Sequence, residues 1–161
     1  MALEIAYQSG IYTLRSEQRL RGNLAEIWDF FSHPENLNKI TPEDLKFKIT
    51  TPHLPAKTYQ GQIITYEIEI LLMMKHSWVT EITLVKEKQL FIDEQRFGPY
   101  RIWHHEHHFE PLSEDEVKMT DLIFFKLPMG LLGRLVAGKM IKNKLTKIFS
   151  YRYQFCEKQF S

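Results

Sequence analysis

Between Leu45 and Lys126 the chain repeatedly alternates apolar and polar residues with period two, and beyond Leu131 the period changes to 3.6. The first pattern belongs to strands with one buried face, the second to a helix with one apolar stripe. The twofold segments are Leu45–Thr51, Thr58–Leu72, His76–Lys86, Gln89–Phe97, Tyr100–Glu110 and Glu116–Lys126. Short Lys/Glu, Gly-Pro and Ser-Glu-Asp connections predict an antiparallel sheet of sequential neighbours. The helix is predicted over Leu131–Gln159, with apolar positions at 132, 135, 136, 140, 141, 145, 148, 149 and 156. Such a helix is roughly 45 Å long, enough to cross a whole small domain. A sheet with one apolar face and a helix of that length have to bury each other.

The beginning of the chain adds a strand over Ile11–Arg21, stopped by Gly22-Asn23. Asn23 with Glu26 three residues later reads as a capping box, and Leu24, Ile27, Trp28 and Phe31 make the apolar stripe of a short helix. Pro34 and Pro42 predict further helical turns over Pro34–Ile40 and Pro42–Leu45. The order β-α-α-β-β-β-β-β-β-α predicts one α+β domain over residues 1–161. It is a curved antiparallel sheet of about seven strands wrapped around a long C-terminal helix.

Composition narrows the partners. A net charge of +1 provides no field to recruit nucleic acid. The most apolar stretch, Leu122 to Met140, is broken by Lys126, Pro128, Gly130, Gly133, Arg134 and Gly138, so no stable membrane insertion is expected. The first residues lack a basic stretch followed by an apolar one, and Cys156 is the lone cysteine, so a cytoplasmic monomer or weak homodimer is expected. The Arg134, Lys139, Lys142, Lys144 and Lys147 series reads as a solvated helix face. Leu71, Leu72, Met73 and Met74 could line a pliable pocket mouth, although a core role fits them better.

Several stretches together resemble a known family. They are Trp28-Asp29-Phe30-Phe31-Ser32-His33-Pro34-Glu35-Asn36-Leu37, Ile40-Thr41-Pro42, Gly61 to Ile64 with Tyr66, and Trp78. Further on come Phe91-x-Asp93-x-Gln95-x-x-Gly98-Pro99, Trp103-x-His105-x-His107-x-Phe109, Met119-x-Asp121 and Leu127-Pro128-x-Gly130. The chain resembles, over nearly its whole length, a bacterial branch of the START-like (SRPBCC, polyketide cyclase-related) superfamily. That resemblance implies a helix-grip fold holding a hydrophobic ligand. It also leads one to expect a Tyr where Phe125 stands, and so one polar group fewer in the pocket.

The residues point the same way without the family. In three consecutive strands ionisable groups share a phase with large apolar residues: Asp93 and Gln95 with Phe91, His105 and His107 with Trp103 and Phe109, and Asp121 with Met119, Ile123 and Phe125. The opposite phase, with Glu94, Arg96, His104, Glu106, His108 and Lys118, reads as solvent-facing. A three-residue Gly98–Tyr100 loop sets Asp93 opposite His105, and pairing Phe109 with Met119 sets His107 opposite Asp121. A slip of two residues would instead set His105 opposite Asp121. The pattern favours a satisfied His–Asp network on a cavity wall. A ligand-orienting or acid–base role, and a metal site on His-x-His, are the competing readings. No cofactor and no metal is expected.

The expected ligand-binding residues are Tyr66, Trp78, Thr80, Asp93, Gln95, Trp103, His105, His107, Phe109, Ile123 and Phe125. Candidate catalytic residues are His105, His107, Asp93 and Asp121. Arg152 falls on the helix stripe and needs a buried partner, with Asp121, Asp93 and Asp29 as candidates. The function expected is binding of a small hydrophobic molecule, lipid-, aromatic- or polyketide-like, as carrier or sensor. The alternatives are a cyclase or dehydratase using the His–Asp pairs and a protein-binding regulator.

Overall fold

The structure, a computed structural model, describes residues 2–70 and 74–161. Eight strands are β1 (Ala2–Gln8), β2 (Ile11–Arg21), β3 (Lys48–Ile49), β4 (Ile63–Glu69), β5 (Lys75–Lys86), β6 (Leu90–Phe97), β7 (Ile102–Ser113) and β8 (Glu116–Lys126). Among the described residues they form one antiparallel sheet in the order β1-β2-β8-β7-β6-β5-β4-β3. Helix α1 (Leu24–Ser32) and two 3-10 turns, Pro34–Asn38 and Glu43–Leu45, separate β2 from β3. Helix α2 (Gly130–Gln159) closes the domain. This is the sheet-and-helix arrangement expected from the two periods, and the helix-grip fold that the resemblance implies.

Local chemistry accounts for the boundaries. The Asn23 side chain accepts from Glu26 N at 2.9 Å, ending β2 and starting α1. Ser9 and Gly10, at φ 51° and 90°, make the tight reversal from β1 to β2. β1 was not expected, and it brings the strand count to eight. Its signal is present in the alternating Leu3 and Ile5 ahead of Ser9-Gly10. Two expected strands are shorter. Leu45–Thr51 reduces to β3 because Leu45 ends a 3-10 turn, and Thr58–Leu72 reduces to β4. The latter contracts because Thr58 N bonds Ser32 O and Gly61 N bonds Ile82 O, which commits that stretch to a loop. Leu71, Leu72 and Met73 lie outside the described residues, and Met74 is exposed.

Two apolar clusters flank the grip. One joins Tyr12, Leu14, Ile123 and Phe125 from β2 and β8 to Ile141, Leu145 and Phe149 of α2. The other gathers α1 against the far end of β6 to β8, where Trp28 meets Phe109 at 5.3 Å and Phe91 at 6.0 Å, and takes in Cys156 and Phe160. Ile141, Leu145, Phe149, Arg152 and Cys156 are buried at spacings of four and three, one stripe of α2. Nearer its start the apolar repeat does not pack: Leu132, Leu135 and Val136 are exposed.

That division gives a direct test of which part of α2 closes the domain. Ile141→Ala is expected to destabilise by about 2–5 kcal/mol. Leu135→Ala should stay within about 0.5 kcal/mol of the parent. Urea unfolding with an unchanged slope reads both.

Candidate functional site

The strand register brings the ionisable groups together. Asp93 pairs with His105 across β6 and β7, and His107 pairs with Asp121 across β7 and β8. Because His105 and His107 are two apart on one strand, both rings rise from the same face, with centroids 3.8 Å apart. The shortest hydrogen bonds run on the diagonals. His107 Nε2 donates to Asp93 Oδ2 at 2.9 Å, and His105 Nε2 donates to Asp121 Oδ1 at 2.9 Å. The direct pairs are looser: His105 Nδ1 is 3.4 Å from Asp93 Oδ2. His107 Nδ1 is 3.1 Å from Asp121 Oδ1, poorly aligned for a hydrogen bond. Each imidazole is thus held between two carboxylates.

Arg152 of α2 completes the cluster, its Nη1 donating to Asp121 Oδ1 at 3.0 Å. Asp121 is therefore its partner. Asp29 pairs with Lys57 at the surface. His105, His107, Asp121 and Arg152 are all buried, and Asp93 nearly so. Burial would raise the Asp121 carboxyl, but the Arg152 charge and the imidazole bonds hold it well below the ordinary carboxylate range. Burial likewise opposes ionisation of Asp93, and the neighbouring His105 and His107 outweigh it. The two imidazoles diverge. Burial and the His107 charge push His105 down to about 4. Burial also works against His107, yet the carboxylates of Asp121 and Asp93 on either side of it prevail and raise it. Two neighbouring groups driven apart in this way can divide the roles of acid and base.

This cluster borders a cavity of about 150 Å³ between the sheet and α2. Ile64, Tyr66 and Ile68 of β4 and Trp78, Thr80 and Ile82 of β5 line one side. Phe91 and Asp93 of β6 and Trp103, His105 and His107 of β7 form the floor, and Leu145, Ile148, Phe149 and Arg152 of α2 the roof. Phe30, Leu37, Ile40 and Phe47 close an end, and the half-buried His33, Asn36 and Thr58 reach its rim. Phe30 and Phe47 were not anticipated; Phe30 lies off the α1 stripe and carries no periodic signal. Tyr66 Oη shares a hydrogen bond with Thr80 Oγ1 at 2.9 Å. Trp78 Nε1 and Arg152 Nε are buried without a hydrogen-bond partner among the described residues.

Four residues expected on the wall do not line it. Gln95 folds back over Gly98, its Nε2 donating to Tyr100 O at 2.6 Å and its Oε1 accepting from Tyr100 N at 3.1 Å. A Cβ at Gly98 would lie 2.5 Å from Gln95 Oε1, which explains the glycine. Phe109 packs against Trp28 and Phe31 in the second cluster. Ile123 and Phe125 belong to the first, with Phe125 stacked on Tyr12 at 4.9 Å. A phenylalanine at 125 therefore takes no polar group from the cavity. Cys156, whose thiol burial raises to about 12, is core and no nucleophile.

No protein-family model matches the chain, and no curated relative matches it in sequence. Solved structures match its shape. The Zhui aromatase/cyclase of Streptomyces sp. R1128 superposes with a TM-score of 0.70 at 12% identity, over 92% of this chain and 93% of that one. The norcoclaurine synthase of Thalictrum flavum, solved with dopamine and hydroxybenzaldehyde, gives 0.65 at 12% identity, over 92% and 86%. A START superfamily protein from Mycobacterium smegmatis gives 0.59 at 15% identity, over 88% and 97%. The chain shares the helix-grip fold of these structures. No helix among the described residues is long and apolar enough to cross a membrane.

The cluster's energetics can be separated by substitution. Asp121→Ala strands a buried guanidinium and two imidazoles and should cost about 3–5 kcal/mol. Combining Asp121→Leu with Arg152→Met removes both charges and should recover much of that loss in thermal or urea unfolding. Asp93→Ala removes the best partner of His107 only, and should cost about 1–3 kcal/mol.

Proposed function

We propose that this helix-grip protein binds a small aromatic molecule, of about one ring and carrying a carbonyl or carboxyl group, as a carrier or sensor. The observation that carries the reading is the cavity itself, apolar on most sides, with Asp93, His105 and His107 gathered on its floor and Arg152 on one edge of its roof. Sites for small molecules have this build, an apolar wall with few polar groups to fix orientation. Its volume decides among ligand classes. About 150 Å³ is the size of an apolar cavity that benzene fills. Drug-sized pockets run to about 300–1,000 Å³. A lipid or a polyketide chain needs more room, so the aromatic class is favoured. Unpaired donors on Trp78 and Arg152 and the Tyr66–Thr80 hydroxyl pair suit an acceptor on the ligand. The norcoclaurine synthase that shares the fold is solved with two single-ring molecules, one of them the carbonyl compound hydroxybenzaldehyde.

A second reading, catalysis at the same floor, is favoured by the divergence of His105 and His107 toward base and acid. A cyclase or dehydratase step on a carbonyl compound would use those groups. Incubating the protein with hydroxybenzaldehyde and an amine nucleophile tests it by product formation.

The binding reading is tested by titrating benzoate, benzaldehyde and phenol while following tryptophan fluorescence and melting temperature. At a hundredfold excess over the dissociation constant, stability should rise by about 2.7 kcal/mol. Trp103→Ala should weaken binding by removing a wall. Ile148→Trp, which drives an indole into the space from α2, should abolish it while the fold persists. If none of these compounds moves either signal, the cavity reading falls.

A further inference from the structure

The cavity floor contains an arrangement that ligand binding does not require. We infer that Asp93, His105 and His107 form a three-ligand site for a divalent transition-metal ion, through Asp93 Oδ2, His105 Nδ1 and His107 Nε2. The donor atoms lie within 4.8 Å of one another. Asp93 Oδ2 is 2.9 Å from His107 Nε2 and 3.4 Å from His105 Nδ1. Donors at tetrahedral angles around an ion such as Zn²⁺ stand about 3.3 Å apart, close to both separations from Asp93 Oδ2.

The way the rings are turned supplies a second reason. His105 Nε2 is directed at Asp121 Oδ1, 2.9 Å away, which leaves Nδ1 as the ring nitrogen facing Asp93. His105 Nδ1 and Asp93 Oδ2 approach to 3.4 Å, and His107 Nε2 reaches the same carboxylate oxygen. A cation among these three atoms would be bound by all of them and would take the place of the proton that His107 Nε2 shares with Asp93.

The groups behind the proposed ligands fit the same geometry. The nitrogens turned away from the metal, His105 Nε2 and His107 Nδ1, both lie next to Asp121 Oδ1, at 2.9 and 3.1 Å. Imidazoles that bind a metal generally give their other N–H to a carboxylate, which fixes ring orientation and raises ligand basicity. Asp121 is in turn neutralised by Arg152, so the guanidinium stands behind Asp121 and not among the ligands. Counting charge, the donor set contributes −1 and the Asp121–Arg152 pair nothing. A divalent ion would leave a single positive charge facing the cavity, where an oxygen of a bound molecule could complete its coordination. Two imidazoles and one carboxylate suit Zn²⁺, Co²⁺ or Fe²⁺ rather than Ca²⁺ or Mg²⁺.

The outer face of the same strands provides a competitor that the test has to separate. His104 touches Glu94 and Glu106, and His108 touches Glu106, all partly exposed. Protein stripped with chelator and dialysed should be titrated with Co²⁺, following visible absorption, and with Zn²⁺, following stoichiometry by elemental analysis. One tightly bound ion per chain is expected, with a Co²⁺ spectrum of low coordination number. The His104→Ala/His108→Ala variant should bind as the parent does. Asp93→Asn and His107→Ala should lose the stoichiometric ion, with near-ultraviolet circular dichroism confirming the fold. If His107→Ala fails to fold, Asp93→Asn, which preserves shape, decides alone. Asp121→Asn should weaken binding by about 10–100-fold. No stoichiometric ion in the parent, or an ion lost from the His104→Ala/His108→Ala variant and kept by Asp93→Asn, overturns the inference. The site does not rest on the aromatic ligand, whose titration in the presence of chelator is a separate result.

Discussion

Asp121 Oδ1 accepts from Arg152 Nη1 and from His105 Nε2, joining the last strand, its neighbour and the closing helix at one buried atom. A carboxylate removed from water is costly unless charge and hydrogen bonds replace its hydration. Here the replacement comes from three elements, and each is thereby constrained. Arg152 sets the rotation of α2, since one stripe has to present both the guanidinium and the Leu145–Phe149 ridge. His105 and His107 set the register of β7 against β8, because a slip of one residue would turn both rings to solvent and Trp103 with them. The apolar cavity follows from these constraints. With α2 held at Arg152 and packed at Ile141, Leu145 and Phe149, it spans the hollow of the sheet without filling it.

The walls and the floor act on each other. Apolar surroundings reduce dielectric screening, so the imidazole–carboxylate contacts are stronger than they would be at the surface. The contrast lies on the other face of the same strands. His104 and His108 also bond carboxylates, at comparable distances, but in contact with solvent. For His104 the same bonds raise the ring's proton affinity against only partial burial. On the inner face burial drives His105 the other way, while the carboxylates beside His107 raise it. Identical residue types in alternating positions of one strand thus serve as a solvated surface and as a chemically divided floor.

Much of this is legible in the sequence, for definite physical reasons. Period two placed Asp93, His105, His107 and Asp121 in one phase with Trp103 and Phe91, and a three-residue Gly98–Tyr100 loop implied the register that the sheet has. The 3.6 repeat put Arg152 on the buried stripe. Phase alone does not say what covers an inward residue. Gln95 shares the inner phase but is captured by the Tyr100 backbone, and Ile123 and Phe125 share it but are sealed by Ile141 and Leu145. Nor does register decide which atoms bond. Asp93 stands opposite His105 yet bonds His107, because diagonal neighbours come within reach of these side chains. For β1 the apolar alternation covers only Leu3 and Ile5 before the Ser9-Gly10 reversal, too short to stand out as a strand. The size of the cavity depends on how Phe30, Leu37 and Phe47 fold over its end, which no periodicity encodes.

The most direct test of the account is a long-range ¹H–¹⁵N spectrum of the histidine rings and indoles, recorded in chelator with and without saturating benzaldehyde. The account predicts that ring nitrogens of His105 and His107 and the Trp78 indole shift on addition, while those of His104 and His108 stay in place. It also predicts that before addition His105 shows the neutral Nε2–H tautomer and takes up its second proton at lower pH than His107 does. Unchanged inner-face signals, or shifts confined to the outer histidines, would contradict it.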